Sequence, residues 1–294
     1  MSETPKIRGI IAYPVTTFAS SGGIDTERLA ALVEKLVSSG VHAIAPLGST
    51  GELAYLDEAE FDTVVDTTIA TVAGRVPVVT GVSDVTTAKT IRRAQYAQRA
   101  GADAVMILPV SYWKLSEREI AQHYRSIGEA IDIPIMAYNN PATSGVDMSP
   151  ELLVSMFETT DNLTMVKEST GDLSRMRRIA ELSGGQLPFY NGSNPLVLEA
   201  LKAGASGWCT AAPNLRPQPC IDLYQAVRAG DLEKAQVLYD DLKPLLEYIV
   251  AGGLATTVKA GLDLLGFPAG DPRAPLLPLD EQGRKELQTL LTGE

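Results

Sequence analysis

Short apolar runs alternate with helical patterns along most of the chain. The runs cover residues 7–18, 41–47, 76–82, 104–108, 133–138, 163–166, 187–190 and 205–210, and start at intervals of roughly 20–35 residues. Each is short enough for a buried strand, and the segments between them carry helix-start signals. Asp57 with Glu60 and Ser116 with Glu119 have capping-box spacing. Ser149-Pro150 and Asn194-Pro195 put proline at the first helical position behind a capping residue. Strands alternating with helices are the pattern of βα units and a parallel sheet. Eight such units point to an α/β chain folded as a (β/α)8 TIM barrel. An open doubly wound sheet would carry a Gly-x-Gly-x-x-Gly turn after its first strand, and the segment 11–17 has none. After about residue 214 the pattern is helical without strands, over 217–229, 232–251, 255–265 and 279–291. The first of these completes the barrel. We therefore expect a catalytic barrel over 1–230 and a C-terminal helical extension over 231–294.

Composition narrows the class. The chain has 294 residues, 45% of them hydrophobic and 21% charged, as in ordinary globular enzymes. No apolar run approaches the ~20 residues that cross a bilayer. The first six residues lack the basic flank and apolar core of a secretory signal, so a cytoplasmic protein without a membrane partner is expected. A formal charge of −11 argues against a nucleic-acid surface but not against a small anionic substrate. Cys209 and Cys220 form no disulfide framework. With His42 and His123 the only histidines, a metal-dependent aldolase or hydrolase is a poor fit, and no metal is expected.

A barrel of this class places its chemistry at the carboxyl ends of its strands. There the sequence sets Gly48-Ser49-Thr50-Gly51-Glu52, Tyr112-Trp113, Tyr138-Asn139-Asn140-Pro141, Lys167-Glu168-Ser169, Asn191-Gly192-Ser193-Asn194 and Trp208-Cys209-Thr210. A lysine closing an apolar run is poorly hydrated. Desolvation disfavours an ammonium and can lower a lysine pKa from ~10.4 by several units. A neutral amine attacks a carbonyl to form a Schiff base. Alone, Lys167 reads equally as a strand-end lysine reaching for solvent, and Tyr138 as a buried tyrosine with a satisfied hydroxyl. Together they suggest a nucleophile and a proton carrier. The Ser49-Thr50 turn either binds a carboxylate or simply caps a helix. Tyr112 is open between catalytic, interfacial and anchoring roles. Glu52, Glu168 and Asn191 read first as structural hydrogen-bonding residues, and His42 and His123 as structural.

The motifs at 48–52, 138–141 and 166–169 resemble, in order and spacing, those of the dihydrodipicolinate synthase/N-acetylneuraminate lyase superfamily. The resemblance runs from about Gly9 through the C-terminal helices. It implies a barrel with a C-terminal helical domain, commonly a homotetramer, that needs no cofactor beyond the imine formed on its own lysine. It implies that Lys167 is the Schiff-base lysine, that Tyr138 relays protons, and that Ser49 and Thr50 hold a keto-acid carboxylate, with Thr50 close to the reacting centre. Gly192 and Cys209 match pocket-lining positions. Tyr112 lies near the tyrosine that synthases borrow from a neighbouring subunit, although Ser111 equally fits that place. Where the synthases carry an arginine for a distal carboxylate, this chain has Thr143; where sialic acid lyases carry an Asp-Glu pair, it has Asn194-Pro195. The expected activity is a class I lyase on a small 2-oxo acid, releasing or condensing pyruvate. Alternatives are 4-hydroxy-tetrahydrodipicolinate synthase, dehydration of a 2-keto-3-deoxy sugar acid, deamination of a hydroxypyrroline carboxylate, and a non-catalytic keto-acid sensor.

Overall fold

Strands covered on both faces read as unbroken aliphatic runs, since neither face meets water. The computed structural model describes residues 7–292. The six N-terminal residues, on which the expectation of no secretory signal rested, lie outside the described residues. The chain divides into two compact units, Gly9–Val76 with 210–292 and Pro77–Cys209 with 7–8.

In the first unit, β1 (Gly9–Ala12) and β2 (Ala43–Ile44) pair in parallel with Ile11 opposite Ala43 and Ala12 opposite Ile44. Both strands are shorter than their apolar runs. β1 stops before Pro14, which has no N–H for a ladder, and the run continues as a buried loop to Phe18. The run after β2 ends in a turn at Leu47, whose φ is 62°. The helices Thr26–Ser38, Glu58–Val72, Pro217–Ala229, Leu232–Ala251, Leu254–Leu264 and Glu281–Thr292 complete this unit.

The second unit carries β3 (Val79–Gly81), β4 (Ala104–Ile107), β5 (Ile135–Asn139), β6 (Leu163–Glu168), β7 (Phe189–Asn191) and, up to Cys209, β8 (Gly207–Thr210). Each pairs in parallel with the next, and a helix separates each from its successor. β6 runs two residues past the apolar run, so Lys167 and Glu168 belong to the strand itself. Eight parallel strands with intervening helices and a helical C-terminal extension make the (β/α)8 class.

The capping boxes form as spaced. Asp57 Oδ1 accepts from Glu60 N–H at 2.8 Å while Glu60 Oε2 accepts from Asp57 N–H at 3.0 Å. Ser116 and Glu119 repeat the arrangement, and Ser149 caps the helix Pro150–Thr159. Asn194 does not cap. It opens a 3-10 turn over Asn194–Leu196, and its Oδ1 accepts from the Trp208 indole N–H at 3.2 Å. A fully buried indole needs an acceptor, and that demand overrides the local capping preference. Among the described residues, no helix is long and apolar enough to cross a membrane.

Candidate active site

Parallel register places Lys167 of β6 opposite Tyr138 of β5 and Tyr190 of β7. The lysine is 5% exposed and Tyr138 is 3% exposed. Lys167 Nζ stands 3.8 Å from the centre of the Tyr138 ring, so the amine is held against an aromatic face. Asn140 Nδ2 donates to the Tyr138 hydroxyl oxygen at 2.8 Å. That bond orients the phenol, a group able both to donate and to accept a proton.

Gly192, the residue that follows β7, lies beside this pair. A Cβ at Gly192 would lie 1.8 Å from Ser169 Oγ and 2.8 Å from Lys167 Cε. Glycine is thus required there by close approach. Ser169 Oγ is buried without a hydrogen-bond partner among the described residues. An orphaned hydroxyl in such a place is costly unless a bound molecule satisfies it.

Glu168, fully buried, organises the neighbouring loop. Its carboxylate accepts from Asn139 Nδ2 at 3.0 Å, from Thr170 N–H at 2.7 Å and from Arg175 Nε at 3.4 Å. Asn139 Oδ1 in turn accepts from Met148 N–H, and Arg175 pairs with Asp147 at 2.8 Å. This network ties the segment after β5 to the end of β6, where Tyr138 and Lys167 stand.

In the other unit, the turn after β2 presents Ser49, half-buried, and Thr50, 3% exposed. It is wound tightly: Gly51 N–H donates to Gly48 O at 3.0 Å and Glu52 N–H to Ser49 O at 3.3 Å. Leu47 and Glu52, at its two ends, both adopt left-handed backbone with φ of 62° and 58°. Such conformations cost about 1–3 kcal/mol each in non-glycine residues and persist only where the surroundings fix them. Thr16 contributes by donating its hydroxyl to Gly51 O at 2.6 Å.

The remaining expected residues are placed as follows. Tyr112 is 98% exposed and Trp113 81%, so one chain alone does not bury Tyr112 with the Lys167–Tyr138 pair. Thr143 is exposed in the short helix Pro141–Ser144, Asn194 is bound to Trp208, and Cys209 is a buried free thiol of β8. Sequence reasoning assigned no role to Asn140, Ser169, Arg175 or Thr16. The first two sit two residues from Tyr138 and Lys167, and that proximity was the only available signal. Among the described residues, no group of three His, Cys, Asp or Glu side chains converges to hold a metal ion.

The sequence profile of the Dihydrodipicolinate synthetase family matches residues 6–294. A 4-hydroxy-tetrahydrodipicolinate synthase of Methanoculleus marisnigri is 34% identical over 288 residues, covering 97% of this chain and 98% of the relative. A Pseudomonas aeruginosa protein provisionally described as a dihydrodipicolinate synthetase has a crystal structure 58% identical in sequence, with a TM-score of 0.96, covering 97% of this chain and 98% of that one. YagE, a prophage protein of Escherichia coli K12 in the dihydrodipicolinic acid synthase family, was solved in complex with pyruvate. It is 29% identical with a TM-score of 0.93 over 98% of each chain.

Proposed function

The chain belongs to the dihydrodipicolinate synthetase family, and from that premise we propose that it is a class I lyase that forms a Schiff base between Lys167 and pyruvate or a close 2-oxo acid. The observation that carries this reading is the buried Lys167 amine against the Tyr138 ring.

Nζ attacks the ketone carbon, and the carbonyl oxygen takes up a proton to give a carbinolamine. Loss of that oxygen as water leaves an iminium. Its positive charge draws electrons from the adjacent carbon, so the imine is the electron sink. Loss of a methyl proton from the pyruvyl iminium gives an enamine that attacks an electrophile. In the cleavage direction, the carbon–carbon bond breaks to the same enamine. Water then returns the ketone and the free amine. Tyr138 carries the protons in these steps, oriented by Asn140. Ser49 and Thr50 are assigned as the keto-acid carboxylate anchor, as the family resemblance implies. No bound cofactor is needed, since the covalent imine does the electronic work.

Thr143, where related synthases carry an arginine, and Asn194 leave the far end of the substrate without a charged partner. Together with the orphaned Ser169 hydroxyl, they favour a distal portion that is short or hydroxylated. A second reading, 4-hydroxy-tetrahydrodipicolinate synthase, is favoured by the names of the curated relatives. The enzyme works as a cytoplasmic homotetramer, and a second copy brings the exposed Tyr112 to the site. Assays for pyruvate release across hydroxylated 2-oxo acids, run beside assays for 4-hydroxy-tetrahydrodipicolinate formation, separate the two. Turnover in neither, with the reduced lysine adduct also absent, returns the chain to a keto-acid sensor.

A further inference from the structure

The turn that presents Ser49 and Thr50 ends in a buried carboxylate tethered from the far end of the chain. Glu52 is 1% exposed; its Oε1 lies 2.6 Å from Lys259 Nζ, and its Oε2 accepts from Arg273 N–H at 2.6 Å. Lys259 belongs to the helix Leu254–Leu264 and is itself 2% exposed. It also donates to Asp271 O at 3.1 Å, and its Nζ stands 3.9 Å from the centre of the Phe18 ring. Burial pulls the Lys259 amine below its ordinary range, and the facing Glu52 charge opposes that shift.

A buried ion pair is weak evidence of stabilisation, because desolvating two charges offsets much of their attraction. A pair of well-packed apolar residues would fill the same space as well. An apolar pair would not fix the direction of the Glu52 side chain, and hence of the backbone that carries it. That backbone is left-handed at φ 58°, which glutamate rarely holds without outside restraint. One residue upstream, the Gly51 carbonyl is held by the Thr16 hydroxyl. The turn is therefore pinned at consecutive residues from two separate segments.

We propose that Lys259 is a positioning residue: through its ion pair with Glu52 it holds the 48–52 turn in the geometry that receives the substrate carboxylate. This rests on the reading of Ser49 and Thr50 as the carboxylate anchor. The C-terminal extension thus has a part in substrate affinity although it contributes no group to the reacting atoms.

The test uses pyruvate and borohydride on the full-length protein, reading the pyruvate concentration that half-saturates adduct formation, the rate at saturation, and Tm. Lys259→Met is compared with the double variant Glu52→Gln/Lys259→Met, and Ser49→Ala serves as a control on the anchor itself. In Lys259→Met the half-saturating concentration rises about tenfold or more, some 1.4 kcal/mol of binding. The rate at saturation changes by less than about threefold. The double variant recovers most of the lost Tm but keeps the raised half-saturation. A double variant with wild-type half-saturation makes the pair merely structural and overturns the inference, even should Lys259→Met fail to fold. A raised value in Ser49→Ala beside an unchanged one in both Lys259 variants also removes it. An unchanged value in Ser49→Ala instead removes the anchor reading.

Discussion

Lys167 Nζ lies over the ring of Tyr138 on the neighbouring strand, 3.8 Å from its centre, while the phenol oxygen beyond accepts from Asn140. The proposed nucleophile and proton carrier are thus set side by side by the register of one strand pair. Tyr138→Phe keeps the ring that the amine rests on and removes only the hydroxyl. The variant is expected to form the borohydride-reducible adduct at near wild-type level while turnover falls about a hundredfold or more. Parallel adduct and turnover measurements check this; full turnover would take Tyr138 out of the proton path.

Gly192 leaves room for the lysine stem. Gly192→Ala puts a methyl group into space occupied by Ser169 Oγ and Lys167 Cε. The flexible lysine gives way more readily than the strands, so the fold survives and the amine is displaced. A shift of about an ångström at a reacting group can cost about a hundredfold. The rate of adduct formation at saturating pyruvate should fall by that order while Tm stays close to wild type. An unchanged rate would show that the lysine has room the geometry denies it.

The exposed Tyr112 has work only if a second copy uses it. Tyr112→Ala should leave Tm unchanged and lower turnover about tenfold or more. Mixed and reassembled with Lys167→Ala, it should regain activity, because some sites then combine an intact lysine with an intact tyrosine. A mixture no better than the mean of its parents would argue that each site is complete within one chain.

His123 gives the stability curve an acid shoulder. Burial lowers its pKa from 6.5, and its Nδ1 lies 2.9 Å from Thr87 Oγ1. Below that unfolded value the unfolded chain takes up a proton that the folded one resists, so stability falls as pH drops. His123→Gln should flatten the Tm profile on the acid side of about pH 6.5. An identical profile would assign the loss to other groups.

Much of this arrangement was legible from local pattern. The alternation of aliphatic runs and capped helices carried the class, and the lysine and tyrosine at run ends do stand opposite each other on neighbouring strands. What escaped depends on distance along the chain. Glu52 meets the Arg273 N–H 221 residues away, and nothing in a glycine-bounded turn announces such a partner. Asn194 reads as a cap because its real partner, the Trp208 indole, comes from β8, beyond the helix that Asn194 precedes. Apolar runs also overstate strands, since hydrophobicity does not stop where a proline or a left-handed residue ends the ladder, as after β1 and β2. Resemblance puts Gly192 at a pocket-lining position, but the need for glycine there comes from Ser169 and Lys167 side chains that only the folded chain brings against it.

The most direct test of the central claim is borohydride reduction in the presence of pyruvate, followed by peptide mass mapping. The account predicts one reduced pyruvyl group on the Lys167 peptide, absent from Lys167→Ala and absent without pyruvate. A modified Lys259 or other lysine with Lys167 untouched, or no adduct under conditions where the protein binds pyruvate, would contradict it.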